Sequence, residues 1–335
     1  MRIITCASYH GTGSSAITDL LSEYSNCYSM SDYEFRFVQD PEGISDLEYN
    51  LVENHHRLNS GHALKRYKNK VDFLAGNILI KKYELFFNNK WKKYSYEYIE
   101  SLSNLKYEGY WHQDVLDKGK FFYIRKRLIN KFLQKTIWFR KKEKSLCEMP
   151  NEIIYCSNPT EEEFLNLTKL YMDRLFKEAN KLNLDNIIVD QLVPASNIDR
   201  YLRYFNDIKV IVVERDPRDL YCLSKYIWKE KVIPIKNVDE FCKWYKYTRN
   251  HRKNENINSK NSILIQFEDL IYKYDETKNR IENWLGFEEK DHIKKKEFLN
   301  PNVSKKNTKL WEKLNIPQED IRYIEENLQE YLYEF

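Results

Sequence analysis

The stretch that decides the fold is Ile3-Ile4-Thr5-Cys6-Ala7, then His10-Gly11-Thr12-Gly13-Ser14-Ser15, then Ala16-Ile17-Thr18-Asp19-Leu20-Leu21. The first run is apolar and predicts a buried strand, and the last has apolar residues at helical spacing. A loop of small residues lies between them. Backbone N–H groups and the helix dipole favour an anion at such a helix N-terminus, and Ser and Thr hydroxyls add donors. The stretch therefore predicts an anion-binding strand, loop and helix.

This loop lacks the lysine of an ordinary nucleoside-triphosphate loop. That motif, G-x-x-x-x-G-K-[ST], has Lys after its last glycine, whereas Ser14 follows Gly13 here. We therefore expect that this loop does not bind ATP or GTP in the usual way and that it binds a different anion. A simple turn is the alternative, because Gly/Ser loops commonly join strands to helices.

Further apolar runs predict a parallel sheet. We expect strands near 33–37 and at 186–190, 209–214 and 262–267, with a short helix at 198–205. Residues from about 45 to 180 have mostly helical patterning and few glycines. The prediction is one α/β domain over 1–335, a parallel sheet flanked by helices, with a large mainly helical insertion at 41–185 that binds the acceptor.

The composition excludes several classes of protein. The formal net charge of +4 is too small to make nucleic acid the expected partner, and the 15% aromatic content supports a folded core. The six cysteines form no C-x-x-C pair, which predicts reduced thiols. With no signal-peptide pattern and no long apolar run, we expect a soluble cytoplasmic protein.

One segment is strongly basic. From 118 to 144 there are eleven basic residues and one acidic residue. A helix here would place Phe121, Leu128, Phe132 and Phe139 on one stripe, which predicts a helix docked on the core with a basic flank. That flank would suit an anionic glycan, a nucleic acid or an anionic membrane surface, and a solvated charged face is the alternative.

A second candidate site follows the strand at 209–214. Arg215 lies where the strand ends, and ligands of open α/β sheets bind at that edge. A guanidinium grips phosphate through paired N–H donors. Pro217 suits the first turn of the next helix. The alternative is an ion-pair cluster among Arg215, Asp216, Arg218 and Asp219.

Together these segments resemble the sulfotransferases that use 3′-phosphoadenosine-5′-phosphosulfate (PAPS). That family pairs an N-terminal loop for the 5′-phosphosulfate with a strand–Arg–x–Pro–helix for the 3′-phosphate. The stretches 266–270 and 281–286 resemble its "EDL" and "I-x-x-[FW]-L-G" motifs, and 300–307 resembles its late basic loop. The resemblance covers 1–40 and 186–311.

The resemblance implies a P-loop-NTPase-like sulfotransferase fold, PAPS as co-substrate, 3′,5′-adenosine bisphosphate as product and no metal. The implied nucleotide-binding residues are Gly11, Thr12, Gly13, Ser14, Ser15, Arg215, Ser224, Lys305 and Lys306.

Three departures from the family pattern bear on the site. Many members have a lysine where Gly11 stands, so His10 is the nearest cationic candidate. The segment 190–194 lacks the family's second lysine. The family serine usually lies eight residues after the arginine, where Leu223 stands, and Ser224 comes one residue later.

The resemblance also supplies a candidate base. Glu34 begins a segment similar to the "E-x-x-F-F" of heparan-type sulfotransferases, in which the glutamate is the base. A structural ion pair with Arg36 is the alternative. His112 is the other candidate base, because a histidine titrates near neutral pH.

The sequence thus predicts transfer of a sulfuryl group from PAPS to a hydroxyl of a bacterial glycan or glycan precursor. A small aromatic or steroid hydroxyl is an alternative acceptor. A kinase with an irregular P-loop, or a non-catalytic anion- or glycan-binding protein, are the alternative functions. The acceptor, the sulfated position and the oligomeric state stay open.

Overall fold

A computed structural model describes residues 1–77, 82–111, 113–139 and 152–335, without the side chains at 31, 32, 252 and 253. The chain divides into two compact units, the first comprising Met1–Asp40, Glu84–Lys90 and Thr168–Phe335 and the second Pro41–Tyr83 and Trp91–Leu167. The strands are β1 (Arg2–Ser8), β2 (Cys27–Glu34), β3 (Leu105–Gly109), β4 (Glu152–Cys156), β5 (Asn186–Asp190), β6 (Ile208–Glu214) and β7 (Ser262–Gln266). The α-helices are α1 (Ser14–Ser22), α2 (Ile44–Glu48), α3 (Arg57–Ala75), α4 (Tyr83–Phe86), α5 (Trp91–Leu102), α6 (Asp114–Lys118), α7 (Lys120–Lys135), α8 (Glu161–Ala179), α9 (Ile198–Leu202), α10 (Pro217–Cys222), α11 (Val238–Arg249), α12 (Phe267–Tyr272), α13 (Tyr274–Leu285), α14 (Pro301–Ser304), α15 (Leu310–Lys313) and α16 (Gln318–Asn327).

The first unit is built on a parallel sheet whose described strands lie in the order β2-β5-β1-β6-β7. β1 is central, and Ile3 lies between Ile187 of β5 and Ile208 of β6. Every residue of β5 and β6 is buried. Parallel strands covered on both faces have continuous apolar sequences, which is why these runs were recognisable as strands. The predicted fold class, a parallel α/β sheet flanked by helices, is confirmed.

Helix α1 packs on the sheet and directly follows a glycine with positive φ. Its Ile17, Leu20 and Leu21 are fully buried in the core. Gly13, just before the helix, has φ +101°, a conformation that other residues rarely adopt. A Cβ at Gly13 would lie 2.6 Å from Phe267 Cδ2. The chain therefore enters α1 through a turn that only glycine fits.

The strand predicted near 33–37 is displaced. β2 ends at Glu34, and a 3₁₀ turn covers Arg36–Val38. An extended chain would carry Phe37 and Val38 to opposite faces, but both are fully buried here because the turn brings them together. The pairing of β2 with β5 also shifts register between Ser29 and Glu34, which places Glu34 opposite Asp190.

The second unit is mostly helical, with α3 packed against α5 and β4. It also contains an antiparallel pair, in which Leu105 of β3 lies opposite Cys156 of β4. These short strands were not predicted. A run of five residues does not show a period clearly enough to separate it from helix.

Helix α7 does not pack as predicted. Phe121, Leu128, Phe132 and Phe139 are exposed by 87%, 61%, 65% and 69%, so the expectation of a stripe docked on the core was wrong. The buried residues of α7 are Tyr123 and Asn130. Hydrophobic periodicity shows which residues share a face, but not whether the protein covers that face.

Two further observations concern the described residues of both units. The cysteines that the structure describes, Cys6, Cys27, Cys156, Cys222 and Cys242, are free thiols. In the described ranges, every helix is too short or too polar to cross a lipid bilayer.

We predict that Arg249→Met lowers the free energy of unfolding by about 3–5 kcal/mol, because it leaves the Glu214 carboxylate buried without its cation. Arg249 Nη2 donates to Glu214 Oε2 at 2.9 Å, and both side chains are buried. Urea denaturation measures the effect. Lys246→Met, at an exposed position of the same helix, is the control, and equal effects of the two substitutions would refute the prediction.

Candidate functional site

A cleft of about 690 Å³ in the first unit lies where β1, β2, β5 and β6 end. The carboxyl edge of a parallel sheet is where α/β proteins bind ligands. The polar and charged side chains that line the cleft are Ser8, His10, Ser14, Ser15, Glu34, Arg36, Asp190, Gln191, Arg215, Glu230 and Asn307.

The predicted anion loop lines this cleft through Gly11, Gly13, Ser14 and Ser15. Among the described residues, no side chain caps the N-terminus of α1, and the first N–H groups of a helix generally lack a partner within the helix. Here the Ala16 N–H donates to the Gly13 carbonyl at 3.1 Å, while Ser14 and Ser15 precede it. This end of α1 can therefore bind an anion. Thr12 is oriented differently: it is fully buried, and its Oγ1 donates to the Val213 carbonyl at 2.6 Å. Its hydroxyl fixes the loop to β6 and does not line the cleft.

The Ser14 hydroxyl is already hydrogen-bonded. Ser14 Oγ donates to Asp190 Oδ2 at 3.2 Å and accepts from Gln191 Nε2 at 3.2 Å. Gln191 holds this position with φ +55°, and its N–H donates to the Cys6 carbonyl. An anion at α1 would therefore be bound mainly by backbone N–H groups.

His10 lines the cleft as predicted, but a carboxylate accompanies it. His10 Nε2 lies 2.7 Å from Glu230 Oε1, and the edge of the Trp228 ring is close by. The imidazole therefore faces a carboxylate as well as the cleft. Sequence reasoning missed Glu230 because it follows an irregular segment, the π-helix Leu223–Trp228, and belongs to no motif.

Arg215 connects the anion loop to the late loop. It is buried at the end of β6, its Nη1 donates to the Gly11 carbonyl at 3.3 Å, and its Nη2 donates to the Asn307 carbonyl. Burial lowers the pKa of the guanidinium. Its Nε is buried and has no hydrogen-bond partner among the residues that the structure describes. A buried donor left unmatched costs free energy, which an anionic ligand could recover.

The other predicted nucleotide residues lie outside the cleft lining. Lys305 and Lys306 are exposed in a 3₁₀ turn that reaches the cleft through Asn307. Ser224 is fully buried, whereas Leu223, eight residues after Arg215, lines the cleft. Both residues belong to the π-helix Leu223–Trp228, in which hydrogen bonds join residues five apart and not four apart as in an α-helix.

Glu34 lines the cleft at the end of β2, and its Oε2 lies 3.9 Å from Arg36 Nη1. Arg36 Nε in turn donates to Asp40 Oδ1 at 2.9 Å. The structure is thus compatible with a base and with a loose ion pair, since the carboxylate is half exposed. His112, the other candidate base, lies outside the described residues.

Two buried carboxyl groups lie close to Arg215 in this unit. Burial raises the pKa of Glu268 to about 8, although its Oε1 accepts from the Asp216 N–H at 2.9 Å. Burial also raises the pKa of Asp219 to about 6, while its oxygens accept from the N–H groups of Lys309 and Leu310. Asp219 thereby holds the segment that follows the late loop.

A separate cavity of about 390 Å³ lies in the second unit. Its lining combines acidic and amide side chains with Arg66, which contacts both Glu42 and Asp117. Among the residues the structure describes, no group of three or more His, Cys, Asp or Glu side chains could hold a metal ion.

We predict that Glu268→Gln reduces the pH dependence of stability. A carboxyl group with a raised pKa in the folded state keeps its proton where the unfolded chain has lost it, so stability falls as the pH rises from about 5 to about 8. At about pH 8 the free energy of unfolding of the variant should exceed that of wild type by on the order of 2 kcal/mol, because the amide has no proton to lose.

The measurement is the free energy of unfolding in urea at both pH values. Glu326→Gln, which alters an exposed carboxyl group of α16, is the control. Parallel pH profiles for wild type and Glu268→Gln would contradict the prediction.

No protein-family model matches the chain, and no curated protein matches its sequence. Among solved structures it is similar to the sulfotransferase domain of the Synechococcus PCC 7002 olefin synthase, at 13% identity and TM-score 0.41, over 100% of this chain and 95% of that chain. It is similar to a Mycobacterium avium sulfotransferase at 11% identity and TM-score 0.39, over 100% of this chain and 78% of that chain. It is also similar to retinol dehydratase, which was solved with androsterone and the inactive cofactor PAP. The identity is 12% and the TM-score 0.36, over 100% of this chain and 83% of that chain.

Proposed function

We propose that this protein is a sulfotransferase that takes its sulfuryl group from PAPS. The observation that carries the proposal is that the uncapped N-terminus of α1, the buried Arg215 and the Glu34 carboxylate line one cleft. These are two kinds of anion-binding group and one candidate base. Because identities and TM-scores in the comparisons are low, the proposal depends on these residues.

The cleft offers two positions for phosphate. The N–H groups at the start of α1 would bind the 5′-phosphosulfate, and Arg215 would bind the 3′-phosphate through a donor such as its unmatched Nε. Two different anion-binding groups in one cleft suit a ligand that carries two separate phosphate groups. A kinase would also need a loop lysine, which the stretch 10–15 lacks.

The proposed reaction is the displacement of phosphate by a hydroxyl at sulfur. An S–O bond forms to the acceptor oxygen as the S–O bond to the 5′-phosphate breaks, and 3′,5′-adenosine bisphosphate leaves. Glu34 would take the acceptor's hydroxyl proton. Positioning and charge neutralisation supply the remaining catalysis, as in phosphoryl transfer.

The charge usually supplied by a loop lysine has to come from another side chain. In the described part of the chain, the basic side chains that line the cleft are His10, Arg36 and Arg215. We propose His10 for this role, because it lines the cleft beside the anion loop.

For the acceptor we propose a hydroxyl of a glycan or glycan precursor. The cavity in the second unit supports this choice, because its Asn50, Asn59 and Gln113 amides and its carboxylates could bind several hydroxyl groups. A small aromatic or steroid hydroxyl is the second candidate. Its support is the apolar wall of the cleft, where Ile227 and Trp228 are each 47% exposed.

We predict that Glu34→Gln lowers the rate of labelled-sulfate transfer from PAPS by at least about a hundredfold, because the amide cannot accept the proton. Binding of 3′,5′-adenosine bisphosphate should not weaken, because the Glu34 carboxylate is assigned no attractive contact with the nucleotide. Transfer to a panel of glycan and aromatic hydroxyls is measured by incorporated label.

Asp40→Asn is the matched control, because Asp40 is the other carboxylate that contacts Arg36 and it does not line the cleft. Equal rates for wild type and Glu34→Gln would remove Glu34 as the base. A wild type that binds the nucleotide but transfers label to none of the panel would favour a non-catalytic binding protein.

We predict that Arg215→Lys weakens binding of 3′,5′-adenosine bisphosphate by about tenfold or more, because lysine keeps the charge but loses the paired donors. Binding of adenosine 5′-phosphate, which lacks the 3′-phosphate, should change little. Calorimetric titration gives both affinities for both proteins. An equal loss for the two nucleotides would show that Arg215 acts only by holding the loops through Gly11 and Asn307.

A further inference from the structure

Helix α7 in the second unit has an outer face that is apolar and a buried face that is partly polar. Phe121 is 87% exposed, and Leu128 and Phe132 are more than half exposed. Tyr123 and Asn130 are the buried residues of the helix. A surface helix of a soluble protein normally has the opposite arrangement, with its apolar stripe against the core.

The positions of these residues around the helix make the contrast clear. At about 100° per residue, Phe121, Leu128 and Phe132 fall within roughly 40° of one another. Tyr123 and Asn130 lie on the opposite side of the helix, at about 180° to 200° from Phe121. Ile124 and Ile129, both exposed, widen the apolar face on its two sides. We call the face formed by Phe121, Ile124, Leu128, Ile129 and Phe132 the apolar face of α7.

Basic residues lie both beside this face and within it. The exposed basic residues of α7 are Lys120, Arg125, Arg127, Lys131 and Lys135. Their long side chains can extend beside an apolar surface while the charged ends reach a polar layer. At the carboxyl end of the helix, Lys131, Gln134, Lys135 and Phe139 line a recess of about 400 Å³. Two ammonium groups and an amide in one recess suit a phosphate group.

We propose that α7 is a membrane-binding helix that lies in the surface of an anionic phospholipid bilayer. Its apolar face would enter the boundary between headgroups and acyl chains, and its basic residues would contact the lipid phosphates. The helix is too short and too charged to span a bilayer, so it would bind in the plane of the surface. The proposal is independent of what the cleft in the first unit binds.

Charge favours this occupant over a second copy of the chain. The segment 118–144 has eleven basic residues and one acidic residue, so a symmetric contact through α7 would bring like charges together. A nucleic acid would use the basic residues but would leave the exposed apolar face without a partner. An anionic bilayer satisfies both parts of the helix at once.

Flotation of the full chain with phospholipid vesicles tests the proposal. We expect binding to phosphatidylcholine vesicles that contain phosphatidylserine, weaker binding to phosphatidylcholine alone, and a decrease as salt is added. Replacing Phe121 and Phe132 together by Ser should lower the partition coefficient by about tenfold or more. Replacing Arg125 and Lys131 by Gln should lower the partition coefficient by about fivefold for each residue, and only for the anionic vesicles.

Phe73→Ser is the matched control, because Phe73 is an exposed phenylalanine of the same unit on helix α3. Its partition coefficient should equal that of wild type, and circular dichroism shows whether each variant is folded. Failure of the folded wild type to float with anionic vesicles would overturn the proposal. Self-association in sedimentation velocity that the Phe121 and Phe132 replacements abolish, without vesicle binding, would assign the face to a second copy instead.

Discussion

Arg215 is the residue on which the geometry of the cleft depends. Its guanidinium donates to the carbonyls of Gly11 and Asn307, which are 204 and 92 residues away in the chain. It also lies over the ring of Phe267, which in turn packs against Gly13. One buried cation thus connects the anion loop, the late loop and the start of α12. A ligand that binds Arg215 would act on all three segments, since each contacts the same group.

The missing loop lysine is compensated only in part by this arrangement. The cleft contains three acidic side chains, Glu34, Asp190 and Glu230, besides its basic ones. A phosphate placed among them would be repelled unless the backbone N–H groups of α1 and the guanidinium of Arg215 outweigh that repulsion. In the proposed reaction, one of these carboxylates, Glu34, would take the proton of the acceptor hydroxyl.

Much of the first unit was predictable, because strands covered on both faces leave continuous β-branched runs such as those of β5 and β6. The anion loop and Arg215 were predictable for the same reason, since each directly follows such a strand. The His10–Glu230 contact was not, because it joins residues 220 positions apart across an irregular π-helix. The exposure of α7 was not predictable either, because a hydrophobic period defines a face without showing what covers it. β2 ends at Glu34, earlier than predicted, because a 3₁₀ turn follows and buries Phe37 and Val38. No local sequence pattern predicts that turn.

The central claim is that the cleft binds a nucleotide with phosphates at both the 3′ and 5′ positions. Calorimetric titration of the wild-type protein with 3′,5′-adenosine bisphosphate, and separately with ATP and magnesium, tests this claim most directly. We predict saturable binding of the bisphosphate, with a stoichiometry of about one, and much weaker binding of ATP. Tight binding of ATP with magnesium and none of the bisphosphate would contradict the account.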